Sequence, residues 1–140
     1  MTLASDPEHV IALLDRALRE AKRVMDEVVA DHAPGLRVSF LRVMDLMPAD
    51  GIRLTDLAGR ASMTKQAMGE FVATLEREGF VHVLPDPRDR RVRLVVPTAR
   101  GVELQKASSA AIEALEREWR ERVGPRRWAT TRAVLAELGG

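Results

Sequence analysis

Two short apolar runs rich in β-branched residues, separated by a charged turn, are the feature that most constrains the fold of this chain. The runs are residues 80–84 (FVHVL) and 92–96 (VRLVV), and their composition is typical of strands. Between them, residues 86–91 (DPRDRR) combine proline and aspartates, which favour a chain reversal, with three arginines. The sequence therefore predicts a β-hairpin whose tip carries arginines. Because a hairpin tip presents charge to solvent, we expect a polyanionic partner, with nucleic acid phosphate as the first candidate.

Most of the remaining chain has the periodicity of amphipathic helices. Apolar residues recur there at steps of three and four. The sequence Asp6-Pro7-Glu8 is a typical helix start, Thr64 is suited to cap the fourth helix through its hydroxyl, and Gly79 is suited to end it. The predicted helices span residues 6–30, 38–47, 54–61, 65–78, 98–122 and 127–138. This order predicts a mainly α protein with one small β-hairpin.

Composition excludes several classes of function. The 140 residues fit one domain with helical extensions. The absence of cysteine excludes disulfides, thiolate nucleophiles and sulfur-ligated zinc. The three histidines do not form a ligand pair at i, i+4 spacing, so no metal site is predicted. No motif of an enzyme, a cofactor site, a secretory signal or a membrane span is found, and we expect a cytoplasmic protein that is not an enzyme.

Charge is distributed unevenly along the chain. Residues 51–100 carry nine Lys/Arg against six Asp/Glu, whereas residues 1–50 carry six against nine. The basic segment contains the hairpin.

The two short helices before the hairpin complete a recognisable arrangement. Helices joined by about three residues and followed directly by a hairpin describe a winged helix-turn-helix. Ala58 is small enough for the close crossing of the two helices. The buried side of the second helix is expected to carry Met68, Phe71, Val72 and Leu75.

Three segments closely resemble the MarR family of bacterial transcriptional regulators. They are residues 63–81, the Asp-x-Arg-Asp-x-Arg pattern of residues 86–91, and residues 97–101 (PTARG). The resemblance implies a repressor that binds a pseudo-palindromic DNA operator as a homodimer. It further implies an N-terminal dimerisation region (residues 1–34), a DNA-binding domain (35–100) and C-terminal dimerisation helices (101–140). The alternative is a winged helix that binds an acidic protein partner instead of DNA.

The resemblance also implies roles for individual residues. The start of the second helix of the motif would enter the major groove, and the residues assigned to it are Thr64, Lys65, Gln66, Gly69 and Glu70. The wing would contact the minor groove through Arg88, Arg90 and Arg91, with Arg90 chosen for insertion. Asp86 and Asp89 would hold the loop and orient Arg88 or Arg91 by carboxylate pairing. Gly69 permits close approach either to DNA or to a neighbouring helix, and the sequence does not decide between the two.

A small lipophilic or phenolic effector that releases the DNA is the remaining expectation. In this family the pocket lies near the first, second and fifth helices, which in this chain points to His32, Arg37, Phe40, Leu41 and Met44. Trp119 and Trp128 are expected in the dimer core, with binding of a flat aromatic effector as the alternative.

Overall fold

The computed structural model describes residues 8–140. Within this range the chain forms six helices and three strands. The helices are α1 (Val10–His32), α2 (Val38–Asp45), α3 (Leu54–Arg60), α4 (Lys65–Arg77), α5 (Ala99–Val123) and α6 (Pro125–Gly139). The strands are β1 (Ile52–Arg53), β2 (Val81–Asp86) and β3 (Asp89–Pro97). The predicted winged helix fold, mainly α with a small sheet, is confirmed.

The start of α1 differs from the prediction. The predicted cap Asp6 and Pro7 lie outside the described residues, and the helix begins at Val10. His9 precedes it, and the Nδ1 atom of His9 accepts a hydrogen bond of 3.1 Å from the backbone N–H of Ala12. Histidine thus takes the capping role that serine, threonine or aspartate usually has.

The sheet contains one strand that the sequence did not predict. Strand β1 pairs antiparallel with β3, with Ile52 opposite Val95 and Arg53 opposite Leu94, so the strand order is β1-β3-β2. Gly51, just before β1, has φ +96°, and a Cβ atom there would lie 2.8 Å from Cγ2 of Val96. Only glycine combines this backbone conformation with so close an approach.

The chain divides into two compact units. One comprises residues 1–24 and 109–140, and the other comprises residues 25–108. The boundaries fall inside α1 and α5, whereas the division expected from the sequence follows the helix ends at residues 34 and 100. None of the helices in residues 8–140 combines the length and apolar character that a membrane span requires.

The unit of residues 25–108 has a well-packed apolar core. Met68, Val72 and Leu75 are buried, as predicted, and Ala58 is buried as well. Phe71 was predicted to be buried but is only half-buried, and its ring contacts that of Phe40 with a centroid separation of 4.7 Å. The largest fully buried side chains of this unit include Phe80, Leu41, Met44 and Leu57.

The unit of residues 1–24 and 109–140 buries little of its surface. Helix α6 has no buried residue. The two tryptophans contact each other edge to face, with ring centroids 5.7 Å apart. A groove of about 520 Å³ runs beside them and is lined mainly by Leu14, Ala17, Trp119, Val123, Trp128 and Leu135.

The start of α5 is bound to the end of α4. The Thr98 hydroxyl donates to the carbonyl of Gly79 at 2.7 Å. The Arg100 guanidinium donates to the carbonyl of Glu78 at 2.6 Å and lies over the Phe80 ring, 4.3 Å from its centroid. These contacts satisfy carbonyls that the end of a helix leaves without partners.

Gly101 is the residue at which the start of α5 comes closest to the backbone that follows α4. A Cβ atom at Gly101 would overlap the carbonyl oxygen of Phe80 and lie 3.0 Å from Cε of Met44. We predict that Gly101→Ala lowers the free energy of unfolding by about 1–3 kcal/mol, because a packed backbone must shift to admit the methyl group. Urea unfolding at one protein concentration measures this.

Gly59→Ala is the matched control, since a Cβ atom at Gly59 meets nothing within 4 Å. Its helix should gain about 0.5–1 kcal/mol. Equal unfolding midpoints for the two variants would contradict the assigned contact.

Candidate nucleic-acid interface

The start of α4 presents polar side chains to solvent. Thr64 is in extended conformation and caps the helix, since its Oγ1 accepts a 3.1 Å hydrogen bond from the N–H of Ala67. Its hydroxyl proton remains available to a further acceptor. Thr64, Lys65, Gln66 and Glu70 are exposed, while Met68, on the other side of the helix, is fully buried. The predicted contact residues are therefore placed where a partner can reach them.

Gly69 lies on the same helix, half-buried but without a close neighbour. A Cβ atom built on it would meet no atom within 4 Å apart from its chain neighbours and the backbone of its own helix. Tight packing against a neighbouring helix, one of the two explanations left open by the sequence, is therefore wrong. Within the described chain nothing requires glycine here.

The turn of the hairpin is tighter than predicted. Strand β2 extends to Asp86 and β3 begins at Asp89, and these two residues pair across the turn. Only Pro87 and Arg88 lie between them. Arg90, the arginine expected near the tip, is instead the second residue of β3. The tip arginine is Arg88.

Asp86 joins the turn to the edge strand. Its carboxylate is 7% exposed and accepts hydrogen bonds from the backbone N–H of Arg88 at 2.9 Å and from Nε of Arg53 at 2.7 Å. The first of these contacts, and then the Arg53 side chain, hold the pKa of Asp86 below its ordinary value. The sequence did not single out Arg53, because a lone cation between Ile52 and Leu54 carries no pattern.

Asp89 holds the arginine two residues further on. It accepts from the side chain of Arg91 at 3.2 and 3.3 Å and from its backbone N–H at 3.1 Å. These hydrogen bonds, the side-chain contact first, lower the pKa of Asp89. Of the two arginines expected to pair with carboxylates, Arg91 does so through Asp89, whereas Arg88 meets Asp86 only through its backbone.

A basic cavity of about 300 Å³ lies between α3, the start of α4 and β3. It is lined by Arg53, Leu54, Thr55, Lys65, Arg91, Val92 and Arg93. Four of these seven side chains are cationic and none is acidic. A cleft lined by one sign of charge focuses the electrostatic potential on a counter-ion. Arg53, Thr55 and Arg93 were not predicted as site residues.

The residues expected to bind an effector have very different accessibility. His32 and Arg37 are exposed, at the end of α1 and just before α2. Phe40 is half-buried. Leu41 and Met44, with 1% and 0% exposure, belong to the core, so a ligand reaches them only if the core opens.

Helix α5 is hydrogen-bonded to the end of α2. Gln105 donates to the carbonyls of Met44 and Met47 at 2.7 and 2.9 Å. The fully buried Ser108 donates to the carboxylate of Asp45 at 2.8 Å. Although Asp45 as a whole is exposed, desolvation of its carboxyl raises its pKa and outweighs the opposite effect of the Ser108 hydrogen bond.

The lowered pKa of Asp86 predicts how this carboxylate contributes to stability across pH. A carboxyl with a depressed folded-state pKa stabilises the fold above its unfolded pKa of about 3.9. The contribution disappears as the pH falls further, through the folded-state pKa. Asp86→Asn should therefore melt at a lower temperature than wild type at pH 7, and the difference should shrink from pH 4 downward.

Thermal unfolding at pH 7, 4 and 3 measures this difference. Asp50→Asn, at an exposed residue for which the structure gives no ion pair, is the control and should change little. A gap between wild type and Asp86→Asn that does not depend on pH would refute the assigned ionic role.

Comparison with known proteins places this geometry in context. Residues 37–92 match the model of the MarR family. The transcriptional activatory protein BadR of Rhodopseudomonas palustris is 42% identical over 53 residues, which are 38% of this chain and 30% of BadR. This chain thus spans less than a third of the length of that curated relative in the matched region.

Solved structures share the fold over nearly the whole chain. CouR from Rhodococcus jostii RHA1, determined with p-coumaroyl-CoA, has a TM-score of 0.74 at 24% identity, covering 99% of this chain and 94% of CouR. FabT of Streptococcus pneumoniae, determined in complex with DNA, has a TM-score of 0.79 at 15% identity, covering 95% and 94%. The chain thus matches the MarR family model over the segment that holds α2 to α4 and most of the hairpin, and it shares its fold with these solved structures over nearly its whole length.

Proposed function

We propose that this chain is a transcriptional regulator that binds a pseudo-palindromic DNA operator as a homodimer. The observation that carries the proposal is one surface of the unit of residues 25–108. There the exposed start of α4 and the arginine-bearing hairpin border the same basic cavity. DNA is the polyanion that offers a helix and a hairpin two adjacent grooves.

The first turn of α4 is assigned to the major groove. Gln66 can pair with adenine through two hydrogen bonds, and Lys65 can reach guanine or phosphate. Gly69 and Glu70 follow on the next turn. The absence of any neighbour around Gly69 supports close approach of DNA at this position.

The hairpin is assigned to the minor groove. A narrow minor groove over A·T-rich sequence concentrates negative potential and attracts arginine. Because Arg88 occupies the turn itself, we assign insertion to Arg88 in place of Arg90. Arg90 and Arg91 are assigned to the flanking backbone, with Asp86 and Asp89 holding the hairpin in shape.

Dimerisation is assigned to the helical unit. Large apolar side chains on α1 and α6 are exposed, including Ile11 at 68%, Leu18 at 54% and Leu138 at 78%. Exposed large apolar side chains of this kind mark an interaction site, and a second copy would cover them with the same surface under two-fold symmetry.

Repression and release by a small molecule complete the proposal. Repression is the mode expected from the sequence resemblance, while BadR is described as activatory, so a promoter reporter with and without the protein decides the sign. A lipophilic or phenolic effector is supported by the acyl-CoA bound to CouR. His32, Arg37 and Phe40 are the side chains it would reach first.

Selection of genomic DNA fragments by the purified protein tests the central proposal. Specific fragments should be enriched, and their affinity should fall by orders of magnitude between 50 and 200 mM salt as counterions are released. A panel of phenols and phenolic acids should then weaken binding to the recovered fragment. Enrichment of nothing, together with binding to an acidic protein, would establish the interaction module instead.

Leu18→Glu is predicted to weaken the dimer. It places a charge in the proposed apolar interface, and sedimentation equilibrium should show a larger monomer fraction than for wild type. Leu84→Glu, at a leucine of β2 that is 48% exposed, is the matched control and should leave the dimer intact. Equal association of both variants would argue against the assigned interface.

Gly69→Ala is predicted to raise the stability of the protein and to lower its affinity for DNA. Alanine should raise the free energy of unfolding by up to about 1 kcal/mol, since its methyl group meets nothing in the chain. Affinity for the recovered fragment should fall, because the methyl group enters the space assigned to DNA. Gly59→Ala controls for the gain in helix stability, and wild-type affinity of Gly69→Ala would exclude close approach.

A further inference from the structure

We propose that the basic cavity between α3, α4 and β3 is a phosphate socket that holds one backbone phosphate of DNA between the two grooves. The inference rests on the proposed function and adds Arg53, Thr55 and Arg93 to the interface. Its chemistry is that of a phosphate group, which a DNA phosphodiester or a free phosphate ion can supply.

The charge of the cavity is the first observation. It is bordered by four cations, and two of these are compensated: Arg53 by Asp86 at 2.7 Å and Arg91 by Asp89 at 3.2 Å. The structure gives no ion pair for the other two, Lys65 and Arg93. Two uncompensated cations beside one cavity repel each other, and a bound anion removes that repulsion.

The available donors are the second observation. Arg53 donates to Asp86 through Nε, and no described contact occupies its two terminal nitrogens. A guanidinium whose orientation is already held by a carboxylate loses little further entropy when it binds a phosphate. Thr55, exposed on the first turn of α3, adds a hydroxyl donor to the same cavity.

The position of the cavity favours DNA as the source of the phosphate. Its walls include Lys65, assigned to the major groove, and Arg91, assigned to the DNA backbone beside the minor groove. The sugar-phosphate backbone of DNA that separates the two grooves must pass between Lys65 and Arg91. Contacts to its phosphates set the register of a protein on the duplex without reading sequence.

Arg93→Gln tests the socket because Arg93 has no described ion pair to break. Binding to the recovered genomic fragment should weaken about fivefold at 0.15 M salt, the loss expected from one phosphate contact. The slope of log affinity against log salt should fall by about 1. Arg42→Gln, at an exposed arginine of α2 outside the cavity, should match wild type in both measurements.

A methylphosphonate scan identifies the phosphate. Neutralising one phosphate per half-site should weaken binding of wild type more than binding of Arg93→Gln, because the variant has already lost one of the cations that contact this phosphate. If Arg93→Gln behaves like Arg42→Gln and no position shows this pattern, while wild type still binds DNA, the DNA assignment fails and the proposed function stands.

Titration with inorganic phosphate at constant ionic strength, followed by NMR, tests whether the socket binds a free phosphate ion. Shifts at residues 53–55 and 91–93 in wild type that are absent in Arg93→Gln establish a phosphate site for a free anion, even if wild type binds no DNA. Absence of these shifts together with a negative DNA result overturns the socket.

Discussion

The buried carboxylate of Asp86 is the interaction on which the candidate interface depends. It bonds to the backbone of the turn and to the edge strand at once, so the shape of the hairpin and the orientation of Arg53 have one common origin. Charge-assisted hydrogen bonds of this kind are among the strongest in proteins. The aspartates in the basic loop thus have a clear physical role, since each holds one arginine of the basic cavity by its side chain.

Much of the helical framework could be predicted because its signals are local. The Thr64 cap, the end of α4 at Gly79 and the break between the last two helices each depend on a few neighbouring residues. All of them are present in the structure. The same holds for the hairpin, whose two strands are adjacent in sequence and rich in β-branched residues. Local propensity and tertiary structure agree here, as they do in most natural sequences.

The parts that could not be predicted depend on pairing between distant segments. Two residues, Ile52 and Arg53, are too few to show a strand period, and β1 forms because Val95 and Leu94 of β3 offer partners. The first residues of β3 are charged and carry no strand propensity, yet the strand begins at Asp89, which pairs with Asp86 beyond an irregularity in the register. The basic cavity could not be predicted for the same reason, since Arg53 lines it only because β1 pairs with β3. Two helical glycines show the same contrast, because the sequence does not distinguish Gly69 from Gly101. In the structure Gly69 has open space beside it, whereas Gly101 lies against the carbonyl of Phe80.

The location of Trp119 and Trp128 restricts the intrinsic fluorescence of the chain to one of its two units. These are the only two tryptophans, and the chain has no tyrosine. Both tryptophans lie in the unit of residues 1–24 and 109–140. Fluorescence excited at wavelengths longer than those that phenylalanine absorbs therefore comes from that unit alone. The unit of residues 25–108 contributes none. An unfolding curve followed by fluorescence reports the helical unit, while far-ultraviolet circular dichroism reports both, so a difference between the two curves directly measures how far the units unfold independently.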